Sequence, residues 1–213
     1  MSMGALGRLP PSMTGMLAAA RIPVIEGGNL PSAPIDMAVG FSNHAAAIVA
    51  TRHLLERGYD PIGFLGAPSA DNDRAADRRR GFLDAMLAAG RRVDPSLVME
   101  TELDMAAGAQ AMNALLDRRK ELRALLCSAD AIAAGALFAC QKRGIRVPDQ
   151  IAIAGFDDIE IARLVTPSLT TIRVPRLDIG RFAGELMLSR FAGDAPRQRV
   201  IDTGFELIVR ESA

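Results

Sequence analysis

The chain has 213 residues, 49% of them hydrophobic, which is enough for one large domain or two lobes sharing a chain around a sizeable core. Lys+Arg and Asp+Glu both number 25, and the resulting net charge of zero excludes nucleic-acid binding through a broadly basic face, because neutralising phosphates needs one. Aromatic residues make up only 4% and there is no Trp, so the core is built from Ala, Leu, Ile, Val and Met.

The predicted elements alternate along the chain. The opening MSMGALGRLPPSMTGMLAAARIP reads as a helix leading into a strand over 22–26 (IPVIE), and a loop GGNLPSAP separates that strand from a second over 35–41 (IDMAVGF). A helix follows over 43–57, closed by Gly58, with Ile48, Thr51, Leu54 and Leu55 on one side. PIGFLGAP is a strand and turn, and residues 71–89 form a long helix ending at Gly90. VMET is a short strand, 105–120 a helix, ALLCSAD a strand, 131–143 a helix stopped by Gly144, and IAIAGFDD another strand. After the short β-branched run SLTTIRV come a helix over 176–191, a loop GDAPRQR and a last strand, GFELIVRES. Strands that are apolar throughout, separated by helices, predict an α/β protein whose parallel sheet is covered on both faces.

Such sheets bind ligands beyond the carboxyl ends of their strands. Gly66-Ala67-Pro68, Ser128-Ala129-Asp130 and Phe156-Asp157-Asp158 all fall there. On the long helix, Arg74, Arg78 and Phe82 recur every four residues and share a face; Arg74, Arg79 and Arg80 read as solvated charges. Catalysis has little support. There is no phosphate loop, dinucleotide fingerprint, nucleophile elbow or HExxH motif, and adjacent carboxylates at a strand end point to different sides, which argues against an acid/base pair. His44 and His53 form no cluster with metal-ligand spacing, so neither a metal nor a cofactor is expected. Cys127 and Cys140, in a chain with no secretory leader and no 18-residue apolar span, suit small core positions in a reduced, cytoplasmic protein.

Taken together, HLLERGYDPIGFLGAP, RRRGFLDAMLAAG, SADAIAAGALFACQKRGIRVPDQIAIAGFDD, TPSLTTIRVPRLDIGRFAGELML and FELIVRES resemble the effector domain of the lac-repressor (LacI/GalR) family over residues 22–213. PVIE…IDMAVGFSN and AIAGF are most similar to its gluconate-operon repressors. The resemblance implies a two-lobed, periplasmic-binding-protein-like fold that closes on a sugar or sugar acid such as gluconate. It implies an N-terminal lobe from 1–60 and 174–196, missing its first strands, and a C-terminal lobe from 61–173 and 197–213. It also implies a homodimer that meets operator DNA only through an N-terminal headpiece absent from this chain.

Residue by residue, Arg78, three before Gly81-Phe82, matches the family's ligand-gripping arginine, and Asp157 its ligand-accepting acid. The family's Asn before the following Asp is Ala129 here, and Phe156 and Val174 fall where they would line the cleft. Two other readings stay open on the sequence: the solute-binding protein of a sugar transporter, which shares the fold, and a flavodoxin-like α/β enzyme.

Overall fold

The structure is a computed structural model and describes residues 11–20, 22–118, 121–194 and 198–213. Helix α1 covers Pro11–Ala19; the first ten residues of the expected leading helix lie outside the described residues. The chain then builds two separate sheets. The small one contains β1 (Ile25–Gly27), β2 (Met37–Gly40) and β8 (Val200–Asp202), all parallel, in the order β1-β2-β8. The large one has six strands in the order β4-β3-β5-β6-β7-β9. Of these, β3 (Ile62–Gly66), β4 (Val98–Glu100), β5 (Ala124–Cys127), β6 (Ala152–Asp157) and β7 (Thr170–Arg173) run parallel. Only β9 (Glu206–Ile208) is antiparallel, against β7.

The central strands of the large sheet are buried on both faces, and their side chains sort by the two-residue period of a strand. Ile62 and Phe64, Ala124 and Leu126, and Ala152, Ala154 and Phe156 enter one cluster, with Phe82 and Met86. Leu65, Leu125, Cys127 and Ile153 enter the other, with Met112, Ile132 and Leu137. Helices α2 (Asn43–Glu56) and α3 (Asp73–Ala88) cover the first face; α4 (Met105–Arg118) and α5 (Asp130–Lys142) cover the second. Both cysteines are buried and unpaired. A short helix, α6 (Ile161–Leu164), joins β6 to β7, and α7 (Arg176–Phe191) packs on β1 and β2.

Local chemistry explains the helix boundaries. Ser42 and Asn72 cap α2 and α3 through side-chain oxygens that accept from the amides of Ala45 and Ala75. Both helices end at a glycine in the left-handed region, Gly58 (φ 82°) and Gly90 (φ 69°).

Two boundaries differ from the expected ones. Helix α2 was expected in the N-terminal lobe, yet its small buried face of Ala46, Ala47 and Ala50 packs on α3 and the large sheet. Gly81 makes that close approach possible, since a Cβ there would overlap the backbone of His44. Val200–Asp202 was expected in the larger lobe with the rest of 197–213, and instead forms an edge strand of the small sheet. Three-residue strands leave too short an alternation for sequence pattern to reveal them. The chain therefore passes between the sheets at 41–42, at 174–175 and at 203–205, the last crossing falling later than the expected boundary after residue 196.

Candidate functional site

The carboxyl ends of β3, β5 and β6 open towards the small sheet, and the polar chemistry gathers there. The scaffold beneath is Asp130, the first residue of α5, fully buried behind β6. Its Oδ1 accepts from the Thr171 hydroxyl at 2.6 Å and its Oδ2 from the Ile159 amide at 2.9 Å. Only a glycine at 155 leaves room for that carboxylate, because a Cβ would overlap Oδ1. Burial pushes the Asp130 carboxyl up to about 7; the two donated hydrogen bonds oppose the shift, and the neighbouring Asp157 and Asp158 charges add to it.

Arg78 projects from α3 with its side chain 13% exposed. Its Nε donates to Asn43 Oδ1 at 2.8 Å and its Nη1 to the Ser128 carbonyl at 2.6 Å. The guanidinium lies over the Phe156 ring, 3.7 Å from its centroid, a cation–π contact in a largely dry setting. Phe156 in turn stacks on Phe41. Burial lowers the Arg78 pKa to about 10, with Asp157 pulling it back up, so the group stays charged near neutral pH.

The two adjacent carboxylates divide. Asp157 and Asp158 both have positive φ, 115° and 49°, which costs a non-glycine residue roughly 1–3 kcal/mol and persists only where surroundings enforce it. Asp158 supplies the enforcement. Its side chain is 1% exposed, and its oxygens take Arg173 Nε at 2.8 Å and Arg210 Nη2 at 2.5 Å, while its amide donates to Thr171 Oγ1 at 3.4 Å. Burial alone would raise the Asp158 carboxyl, but the hydrogen bonds from the two arginines outweigh it and hold the group low. Asp157 makes no side-chain hydrogen bond among the described residues. Its Oδ1 stands 3.5 Å from Arg78 Nη2 and 3.3 Å from Arg176 Nη2, both ion pairs without hydrogen-bond geometry. It is an acceptor held in place between two cations and left open, which suits a ligand hydroxyl.

Arg78, Asp157 and Phe156 thus meet in one cluster. Val174 is half-buried against the cluster that contains Phe156. Ala129 is 2% exposed and packs into the core on the α4–α5 face, so the arginine finds the Ser128 carbonyl there rather than a side chain. The sequence reading missed Asn43, Asn29 and Arg176. Asn43, at the start of α2, orients Arg78 and donates to the Gly28 carbonyl at 2.9 Å and to Asn29 Oδ1 at 3.2 Å. Asn29, just after β1, donates to Asp73 and Asp77 of α3, at 3.0 Å each. Gly40 admits that loop, since a Cβ there would lie 2.6 Å from the Asn29 carbonyl oxygen. Arg176 opens α7, so the small sheet and its helix supply Asn29 and Arg176 while the large sheet and its helices supply the rest. A hollow of about 580 Å³, lined by Arg123, Arg143 and Gln150, lies at the amino ends of β5 and β6, away from all of these groups.

Two mainly parallel sheets, a chain that crosses between them three times, and a charged cleft at the crossings define a periplasmic-binding-protein-like domain. Residues 51–213 match the family described as periplasmic binding protein-like domain. The solved structure of the transcription regulator GntR from Chromobacterium violaceum is 38% identical, superimposes with a TM-score of 0.89, and is covered over 74% of its length by 95% of this chain. A CelR–cellobiose complex, also a transcriptional regulator, superimposes with a TM-score of 0.87 at 30% identity, over 98% of this chain and 64% of that one. Among curated proteins, the Escherichia coli regulators IdnR and GntR are 36% and 34% identical over 90% and 92% of this chain. The chain spans 57% and 59% of those two proteins. The chain belongs to the periplasmic-binding-protein-like family and, within it, to the LacI-type transcription regulators.

Proposed function

We propose that this chain is the effector-binding and dimerisation region of a LacI-type repressor that senses a sugar or sugar acid, with gluconate the first candidate, in the bacterial cytoplasm. The carrying observation is Asp157, a carboxylate without a hydrogen bond, held between Arg78 and Arg176 at the carboxyl end of β6. A polyhydroxy ligand gives Asp157 a hydroxyl to accept from and gives Arg78 Nη2 an oxygen to donate to. A structural neighbour solved with cellobiose supports a carbohydrate-derived effector over other small molecules. The relatives are regulators, which supports binding rather than catalysis. Among the described residues no helix is long and apolar enough to cross a membrane.

Effector control then follows from differential affinity. A ligand that binds one lobe arrangement better shifts the population towards it, and a DNA-binding headpiece on a symmetric dimer reads that shift at an operator. Calorimetry with gluconate on the full-length protein tests the reading. Arg78→Ala and Asp157→Asn should each weaken binding roughly tenfold to a hundredfold, the effect of removing a charged hydrogen-bond partner. Undiminished binding by both variants removes the site assignment.

A further inference from the structure

We propose that Arg176 is the specificity-determining residue of this cleft: it reads the effector's carboxylate, and in the ligand-free protein Asp157 holds its place. The inference rests on the effector-site reading above and deepens it. Arg78 is poorly placed for the task. A guanidinium offers two forks, Nε with a terminal nitrogen or both terminal nitrogens together. In Arg78 each fork includes a nitrogen already donating to the protein, Nε to Asn43 and Nη1 to Ser128, and one face is covered by Phe156. What remains is Nη2 and one hydrogen of Nη1, on a group whose orientation Asn43, Ser128 and Phe156 already fix and which therefore cannot turn to seat a carboxylate.

Arg176 differs in every respect. Its side chain is 50% exposed, its one partner among the described residues is Asp157 Oδ1, and that contact lacks hydrogen-bond geometry. Both of its forks are therefore open. It lies close enough to Arg78 for the two cations to disfavour one another, so the cleft presents two guanidinium groups to a single bridging carboxylate. A second carboxylate, brought by the ligand, completes that arrangement; a neutral sugar does not.

The exchange also explains why an acid should be favoured over a polyol of the same shape. An anionic ligand draws Arg176 from Asp157 and leaves both Asp157 oxygens to accept ligand hydroxyls. A neutral ligand must compete with Arg176 for the same oxygen. Because Arg176 travels with α7 on the small sheet and Asp157 ends a strand of the large one, the exchange replaces a direct contact between the lobes with one through the ligand.

The test is calorimetry on the full-length protein with gluconate, glucuronate and the uncharged hexitol sorbitol, using wild type, Arg176→Gln, Arg176→Lys and Asp157→Asn. Wild type should bind at least one of the acids more tightly than sorbitol. Arg176→Gln should weaken the acid tenfold to a hundredfold while binding sorbitol at least as tightly as wild type, because the competing cation is gone, and Arg176→Lys, which keeps the charge without the fork, should recover part of the loss for the acid. If Arg176→Gln binds the acid like wild type, or loses acid and hexitol equally, the assignment of Arg176 is overturned, while weakened binding by Asp157→Asn leaves the effector-site reading standing. If wild type prefers sorbitol, Arg176 is likewise overturned. If wild type binds none of the three ligands, the effector-site reading itself falls and the inference with it.

Discussion

The two sheets are held together on very different scales. The large one carries paired helices on both faces and two extensive buried clusters. The small one carries α7 and one small buried cluster of Met37, Val39 and Leu186, while Leu177, Leu188 and Phe191 of α7 stay exposed. The site is divided along the same line. Its buried, multiply bonded members, Arg78, Asp130 and Asp158, belong to the large lobe, whereas the small lobe supplies Asn29, whose side-chain bonds all run to the large lobe, and the half-exposed Arg176, whose side chain makes no hydrogen bond among the described residues. A ligand-responsive cleft needs this asymmetry: one wall must keep its charges aimed without the ligand, and the other must move at small cost.

The comparison is broken most severely at Gly155. Gly155→Ala drives a methyl into the Asp130 carboxylate inside the large sheet, and should cost about 3 kcal/mol or more in denaturant unfolding, from overpacking combined with a disturbed buried charge. Asp158→Ala comes next. It leaves Arg210, whose side chain is 13% exposed, without its carboxylate and should lower unfolding stability by about 3 kcal/mol.

The pH dependence of Asp130 sharpens the same point. Its folded pKa of about 7 lies above its ordinary value of 3.8, so between these pH values the folded state binds more protons than the unfolded one. This contribution to stability is present at low pH and is lost as pH rises from about 4 to about 7. Asp130→Asn removes it, so the penalty of the variant relative to wild type should shrink by roughly 3–4 kcal/mol between pH 4 and pH 8 in paired urea titrations. A penalty independent of pH would show that the buried carboxyl ionises normally.

Smaller effects belong to the small lobe and the open acceptor. Val39→Ala should cost about 1–2 kcal/mol and speed amide hydrogen exchange in β1, β2 and β8 while leaving β5 and β6 protected. Uniform loss of protection would mean that the lobes unfold as one unit. Asp157→Asn should change stability by less than about 0.5 kcal/mol, because the carboxylate makes no side-chain hydrogen bond among the described residues and its two ion pairs are long and partly solvated, yet it should weaken effector binding roughly tenfold to a hundredfold.

The core of the large sheet was legible because short apolar runs between amphipathic helices admit few arrangements, and Arg78 and Asp157 were singled out as site candidates because their segments resemble a family motif. The lobe boundary was not. Helix α2 has the same pattern whichever sheet it covers, and only the packing of Ala46 and Ala50 against α3 decides its side. Strand β8, three residues long, shows itself only through its pairing with β2.

The α/β class, the helix ends at Gly58 and Gly90 and the acidic pair at a strand end were readable in the sequence, because these depend on period, stop residues and neighbours in the chain. Only the tertiary structure decided what each acid does. Asp158 is buried against Arg173 and Arg210, Asp157 is left open between Arg78 and Arg176, and these four arginines lie between 15 and 79 residues away along the chain. An aspartate's role is set by the charges and burial around it, and a folded chain brings those from positions that no local pattern connects.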